Sequence, residues 1–216
     1  LKIDPGIALT VSAGSLNVLG DYLSGGDLII DKPTVNVDGD FDGAAGNILM
    51  TDLAANLKLG STVTGLGGFN TDMGTITYDG GTQDVLAGTY NNLSIESAGV
   101  KTAAGTLTLN GNLATPATNG SRLDMGANPL NVAGNLTVGA QNGLDLTDAS
   151  ALLTLNGTGA QTITHIGNAT ASAGATVTEN YTTQATFMTL DNSGTYDAYI
   201  GTSTPTGNTG PSSGYL

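Results

Sequence analysis

The sequence predicts an all-β protein built as a parallel β-helix, or β-solenoid, of about seven or eight rungs. Three observations carry this. One heptapeptide recurs as Leu16 to Tyr22 (LNVLGDY), Val35 to Phe41 (VNVDGDF), Leu107 to Leu113 (LTLNGNL) and Leu130 to Leu136 (LNVAGNL), each reading apolar-x-apolar-x-Gly-Asp/Asn-apolar. Leu107, Leu130 and Leu153 are 23 residues apart, and the same shift carries Leu109 onto Val132 and Leu155, and Gly111 onto Gly134 and Gly157. Apolar residues alternate over short stretches punctuated by Gly and Asn, too brief for sandwich strands joined by hairpins but suited to the sides of a coil. A unit of this kind buries its apolar face only by stacking on its neighbours.

Taken in order, residues 1–15 are expected to form an N-terminal strand or arm, because Ile7, Leu9 and Val11 alternate ahead of the first heptapeptide. Residues 16–160 hold the rungs. The heptapeptide glycine marks them at Gly20, Gly39, Ser61 (in LKLGSTV), Gly80, Gly111, Gly134 and Gly157, and the long interval after Gly80 is expected to hide a rung around Leu93 to Ser97. Leu, Val and Ile then point inward and Thr, Asn and Asp outward. The marker glycine is read as supplying the left-handed or bulged backbone of a tight corner. Asn112 and Asn135 read either as an amide ladder or as residues that tolerate turn geometry. Asn47 to Lys58 has Leu49, Leu53 and Leu57 four apart, and reads as a helix or as rung sequence. In residues 161–216 the repeat fades into β-rich segments around Ile163, Val177, Phe187 to Leu190 and Tyr196 to Ile200. A Gly/Ser/Thr/Pro tract from Gly201 to Gly214 follows, before Tyr215 and Leu216.

Composition narrows the function. Eighteen acidic residues against five Lys and Arg give a net charge of −13, and the cations Lys2, Lys32, Lys58, Lys101 and Arg122 are scattered. Nucleic acid is therefore not an expected partner, since phosphate binding needs a basic face. No apolar run approaches the roughly 20 residues of a membrane-spanning helix, so membrane insertion is not expected. The absence of Cys excludes disulfides and thiolate chemistry. The chain opens at Leu1 without a signal-like apolar segment, which reads as a processed chain or a fragment; with the Gly/Thr/Asn-rich, Lys-poor composition this points to export.

Candidate chemistry is sparse. His165, the one histidine, has no nucleophile or orienting acid in a recognisable motif, and no nucleophile elbow, P-loop or His-rich metal signature occurs. No catalytic or cofactor-binding residue is expected, and the protein is not expected to be an enzyme. The best enzymatic reading is polysaccharide cleavage with Arg122 and Asp124 on one strand face; a structural ion pair is the competing reading. Asp38, Asp40 and Asp42, in DGDFDG, match the opening of a D-x-D-x-D-G calcium loop, but the twelfth position falls on Leu49. The competing reading places these aspartates on a solvated face while Val35, Val37 and Phe41 point inward. Sequons at Asn92, Asn119, Asn135, Asn156, Asn168 and Asn180 barely exceed the roughly four expected by chance.

The LTLNGNL-like units, over roughly residues 16 to 157, resemble the Gly/Asn-rich parallel β-helix repeats of secreted prokaryotic surface proteins of the filamentous-haemagglutinin and autotransporter-adhesin type. The resemblance implies an extracellular or cell-surface location and a structural or adhesive role. This chain is short and has no recognisable secretion domain, so neither two-partner secretion nor autotransport carries over. Two functions follow. One is a subunit that assembles with other copies of itself into a filament or surface layer, Leu1 to Val11 or the segment after Gln161 adding a strand to a neighbour at an uncapped solenoid end. The other is a monomeric adhesin, or a carbohydrate-binding or -cleaving module, whose partners would be surface glycans.

Overall fold

The computed structural model describes residues 1–69, 72–115, 121–138, 143–146, 151–158, 161–165, 170–171, 176–179 and 188–192, with side chains as far as Gln161 except Leu152. All regular elements among these residues are β-strands of two to five residues, and all their pairings are parallel. The chain is a β-solenoid. Short alternating runs cannot close a core within one turn, so each turn lays its strands on those of the turn before.

Each turn visits three sides. The long side is one sheet of nine strands, Leu16–Val18, Thr34–Val37, Asn56–Leu59, Thr75–Tyr78, Asn92–Ile95, Leu113–Thr115, Leu136–Val138, Gln161–His165 and Met188–Asn192. The second side begins with Lys2–Ile3, Tyr22–Ser24, Phe41–Asp42 and Val63–Gly65, then restarts as a separate sheet at Gln83–Val85, Gly99–Ala103, Ser121–Asp124, Leu144–Leu146 and Thr170–Ala171. The third side runs through Ala8–Val11, Asp27–Ile30, Asn47–Met50 and Gly68–Phe69, then restarts at Gly88–Tyr90, Leu107–Leu109, Pro129–Val132, Leu152–Leu155 and Thr176–Glu179. Two sides thus break at the same level while the long side runs through. We call this break the seam.

Period-2 alternation puts Val35, Leu57, Ile76, Leu93, Leu113 and Leu136 in one inward column on the long side, each on its in-register neighbour. Each such side chain contributes about 1.5–3 kcal/mol by leaving water. Leu107, Leu130 and Leu153 stack as the 23-residue shift predicts. The strand Asn92–Ile95 is the expected hidden rung. The Leu49, Leu53, Leu57 spacing belongs to rung sequence: Leu49 and Leu53 are exposed and only Leu57 enters the core. Beyond Gln161 the backbone keeps its register, Ile163 on Leu136, Val177 on Leu153 and Leu190 on Ile163. The Tyr196 to Ile200 segment and the Gly201 to Gly214 tract lie outside the described residues.

Three expectations change. Of the two readings of residues 1–15, strand or arm, the strand holds and the arm does not: these residues form part of the first turn, Lys2–Ile3 pairing with Leu23 and Ser24, and Ala8–Val11 with Asp27–Ile30. The four heptapeptides are not one unit restated at one place. Leu16 and Val35 begin theirs on the long side, whereas Leu107 and Leu130 begin theirs on the third side and only reach the long side at Leu113 and Leu136. The motif encodes strand, corner, strand, which serves at more than one corner. Nor do the marker glycines adopt left-handed backbone: positive φ occurs at other glycines and, at 57°, at Ser97. Except at Gly20, where a Cβ would meet nothing, the marker glycines are needed because turns approach closely there. A Cβ on Gly39 would lie 2.4 Å from the Gly20 carbonyl carbon, and one on Gly134 2.4 Å from that of Gly111.

Candidate functional site

Polar side chains gather at the corners, where the backbone leaves the strand ladder and its amides need other acceptors. At the corner after the long side, Asp21 Oδ1 accepts the N–H of Asp40 (3.0 Å) and Asp40 Oδ1 accepts that of Thr62 (3.1 Å). At the corner after the third side, Asn92 Oδ1 accepts the N–H of Asn112 (2.8 Å) and Asn112 Oδ1 that of Asn135 (2.7 Å). Each oxygen caps an amide one turn further on. The asparagine ladder therefore runs from side chain to backbone rather than from amide to amide.

This ladder accounts for one member of the aspartate motif, and the other two look elsewhere. Asp38 Oδ1 accepts from Asn36 Nδ2 (2.7 Å), Asp40 Oδ1 also accepts from the Ser61 hydroxyl (2.8 Å), and Asp42 Oδ1 accepts the N–H of Ala44 (3.1 Å). No three acidic or His side chains among the described residues are placed to share a metal ion. The bonds from Ser61 and Thr62 hold the Asp40 carboxyl below the usual carboxylate range. Asp38 and Asp40 are exposed, while Val37 and Phe41 are fully buried, as the alternation predicts.

Arg122 and Asp124 do share an outer face, with Asp145 stacked in register on Asp124. The guanidinium reaches Asp145 (Nη1 to Oδ2, 3.3 Å) and Asp124 (Nη2 to Oδ2, 3.5 Å). One cation set against two neighbouring carboxylates offsets their mutual repulsion, a structural arrangement. The backbone of His165 lies between Val138 and Asn192, and its side chain is outside the described residues. Among the sequons, the Asn92 amide is engaged at both ends, its Nδ2 donating to Gly74 O at 3.0 Å. Asn119, Asn168 and Asn180 lie outside the described residues.

Sequence reasoning missed the buried polar groups at and beyond the seam. Leu86 sits between the first restarted strands, Gln83–Val85 and Gly88–Tyr90, and two core tyrosines serve its backbone. Its N–H donates to Tyr78 Oη (3.1 Å), Tyr90 Oη donates to its carbonyl (2.6 Å), and the two hydroxyls are 3.2 Å apart. Burial pushes both phenols above their ordinary range. The Tyr90 ring also packs on Phe69 across the break, centroids 5.5 Å apart. Gln83 is buried too. Its Nε2 donates to Leu59 O (2.9 Å) and Ser61 O of the turn before, and its Oε1 accepts the N–H of Gly80 (2.9 Å). Gln161 repeats the arrangement, donating to Val132 O (2.9 Å) and Gly134 O (2.7 Å) and accepting from Gly157 (2.9 Å). A signal existed: each glutamine follows a marker glycine by three or four residues and takes an inward strand position.

Charges near the seam form a second cluster. Lys58 Nζ pairs with Glu96 (2.5 Å) and faces Asp79 (3.6 Å). Burial alone would lower its pKa, but Glu96 and Asp79 hold it above the ordinary lysine value. Lys101 takes an inward position and is fully buried, its Nζ donating to Ser97 O (2.9 Å). Desolvation pulls its pKa down, and Asp79 opposes this only in part.

At the start of the first turn, the outer edges of Lys2–Ile3, Ala8–Val11 and Leu16–Val18 pair with no strand among the described residues. Leu9, Val11 and Leu16 are only partly covered, and Ile7 and Leu19 are 57% and 82% exposed. Comparison with protein-family models, curated proteins and solved structures yields no match for the chain. The fold and its corners therefore define the class, a β-solenoid protein. No helix among the described residues is long and apolar enough to cross a membrane.

Proposed function

We propose that the chain is an extracellular structural protein, whose copies join end to end through their solenoid ends into a filament or surface layer. The observation that carries this reading is that the outer edges of Lys2–Ile3, Ala8–Val11 and Leu16–Val18, over a partly covered apolar core, pair with no strand among the described residues. Such an edge invites another strand unless it is blocked. A contact between unlike ends that does not close on itself propagates. The resemblance of the heptapeptides to secreted surface-protein repeats points the same way. Strand exchange by Leu1 to Val11 is revised: these strands present their free edge while staying in the first turn.

The first turn also changes the test. Removing residues 1–11 would bare the edges of Tyr22–Ser24 and Asp27–Ile30, replacing one open end by another. A better variant blocks the edge. Ile7 and Val11 turn their carbonyls to the strand Asp27–Ile30, so by alternation Ala8 and Thr10 direct theirs, and their N–H groups, outward. Ala8→Pro with Thr10→Pro removes two outward donors and spares the inner ladder. Electron microscopy over a concentration series is expected to show filaments for the native chain and short or no filaments for the variant. A native chain that stays monomeric at every concentration overturns the reading.

The second reading, a monomeric adhesin or a carbohydrate-binding or -cleaving module acting on surface glycans, draws on Arg122 with Asp124 and Asp145. Loss of glycan binding in Arg122→Ala would support it. Calcium at Asp38, Asp40 and Asp42 is a separate proposal, requiring the three carboxylates to give up their present partners. A melting temperature that rises in millimolar calcium, and no longer does so in Asp40→Asn, would support it.

A further inference from the structure

The outer faces of the solenoid differ in charge. In a chain of net charge −13, the second side beyond the seam carries Asp84, Arg122, Asp124 and Asp145. Lys58, Asp79 and Glu96 line the long side or its edge. The third side beyond the seam is different. Through its first four strands, Gly88–Tyr90, Leu107–Leu109, Pro129–Val132 and Leu152–Leu155, the segments 86–92, 103–115, 126–138 and 151–158 contain no Asp, Glu, Lys or Arg; the first charged residue described on this side is Glu179, at the end of the fifth strand Thr176–Glu179. Along its middle Thr89, Thr108, Asn131 and Thr154 stand in register, and Asn131 Nδ2 donates to Thr108 Oγ1 at 3.3 Å.

We infer that this uncharged face is where a second copy of the chain packs side by side. The inference rests on the self-assembly reading for its choice of partner, and goes beyond it in giving the lateral surface. Two arguments select a copy. Like-charged chains repel, and contact on these four strands buries no carboxylate. A second solenoid also has the same strand spacing, about 4.8 Å, so each strand of one face can meet a strand of the other across the roughly 10 Å of packed sheets. The residues in register along its middle, Thr89, Thr108, Asn131 and Thr154, have short side chains, which favours that approach. A neutral polysaccharide is the other occupant an uncharged face could take. It lacks that spacing, and the face offers it no flat exposed ring, since Tyr90 is buried and the chain has no Trp.

Sedimentation velocity of the whole chain, over a concentration series at about 0.01 M and 1 M sodium chloride, tests this; the screening length falls from about 30 Å to 3 Å between them. Pairing is expected to tighten roughly tenfold at the higher salt, as repulsion between the two net charges is screened. Thr108→Asp with Thr154→Asp should abolish pairing at both salts, while Thr82→Asp, at the corner before the second side, should pair like the native chain. If the double variant does not fold, hydrogen exchange on the native chain decides: amides of Leu107–Leu109 and Pro129–Val132 should gain protection with concentration, and unchanged protection overturns the inference. Native-like pairing by the folded double variant, pairing that weakens with salt, or a chain that binds a neutral glucan while never pairing would each overturn it. Electron microscopy separates the two levels. Filaments one solenoid wide overturn the lateral surface and leave end-to-end assembly standing; side-by-side pairs without filaments do the reverse.

Discussion

The turns before the seam and those after it solve the same problem with different residues. In both, one side-chain oxygen at a corner accepts the backbone N–H of the next turn. Before the seam the oxygens belong to Asp21 and Asp40, at the corner leaving the long side; after it they belong to Asn92 and Asn112, at the corner entering the long side. Buried glutamines follow the same logic, Gln83 at the first restarted turn and Gln161 well beyond it. What the fold requires at a corner is an acceptor within reach of a displaced amide. Which corner, and whether the acceptor is charged, are free to vary.

The largest expected effect tests whether the two glutamines are equivalent. Gln83→Leu and Gln161→Leu should each cost roughly 3 kcal/mol in denaturant unfolding, because each leaves backbone groups buried without partners. A cost for Gln161→Leu below about 1 kcal/mol would separate the turns far beyond the seam from the first restarted turn. Next comes the seam itself. Tyr90→Phe removes the donor to the Leu86 carbonyl and should cost about 1–2 kcal/mol, with local hydrogen exchange rising around Leu86. Loss of protection spread evenly over the chain would show that the seam has no stability of its own.

A smaller effect of opposite sign is expected at Lys101. Its folded-state pKa lies below its unfolded value, so the fold disfavours the charged amine, and stability should rise as pH climbs from the folded pKa towards the unfolded one. Lys101→Met keeps the length and removes the charge. It should stabilise the chain by about 1 kcal/mol at neutral pH and flatten that alkaline rise, both read by thermal unfolding across pH. A destabilised variant would show that the bond to Ser97 O outweighs the desolvation of the amine.

The smallest effect distinguishes the acidic ladder from the amide ladder. The carboxyl of Asp40 is held below its ordinary range, so its contribution is complete above the unfolded carboxylate pKa and fades as pH falls through the folded value. Hydrogen exchange should show the Thr62 amide losing protection in that acid window while the Asn112 and Asn135 amides keep theirs. Asp40→Asn should keep the acceptor and remove the pH dependence. Equal acid sensitivity at both corners would mean that the carboxylate's charge plays no part.

How much of this was legible beforehand follows from which interactions are local. Strands and coil sides could be read because alternation has a period of two and the inward residues are Leu, Val and Ile, so Leu107, Leu130 and Leu153 were placed on one column from spacing alone. Asp38, Asp40 and Asp42 looked like a cation loop because their spacing suits one. Spacing does not say that Asp40 faces Ser61 and Thr62 of the following turn. Gln83 and Gln161 are not legible because an isolated polar residue in an apolar strand gains meaning only when the carbonyls it donates to, 22 to 29 residues away, are known.

By itself, then, the sequence determined that the chain is all-β, coiled and repetitive, because binary patterning and glycine punctuation act within a few residues. Tertiary structure decided the rest. It set the heptapeptides at two different corners, folded residues 1–15 into the first turn, gave the marker glycines their role, and placed the seam between Gly68–Phe69 and Gly88–Tyr90. The physical reason is that a corner's geometry depends on the turn beneath it. The Cβ excluded at Gly134 would strike Gly111, and the amide that Asp40 caps belongs to Thr62. Such constraints come into being only when one turn is stacked on another.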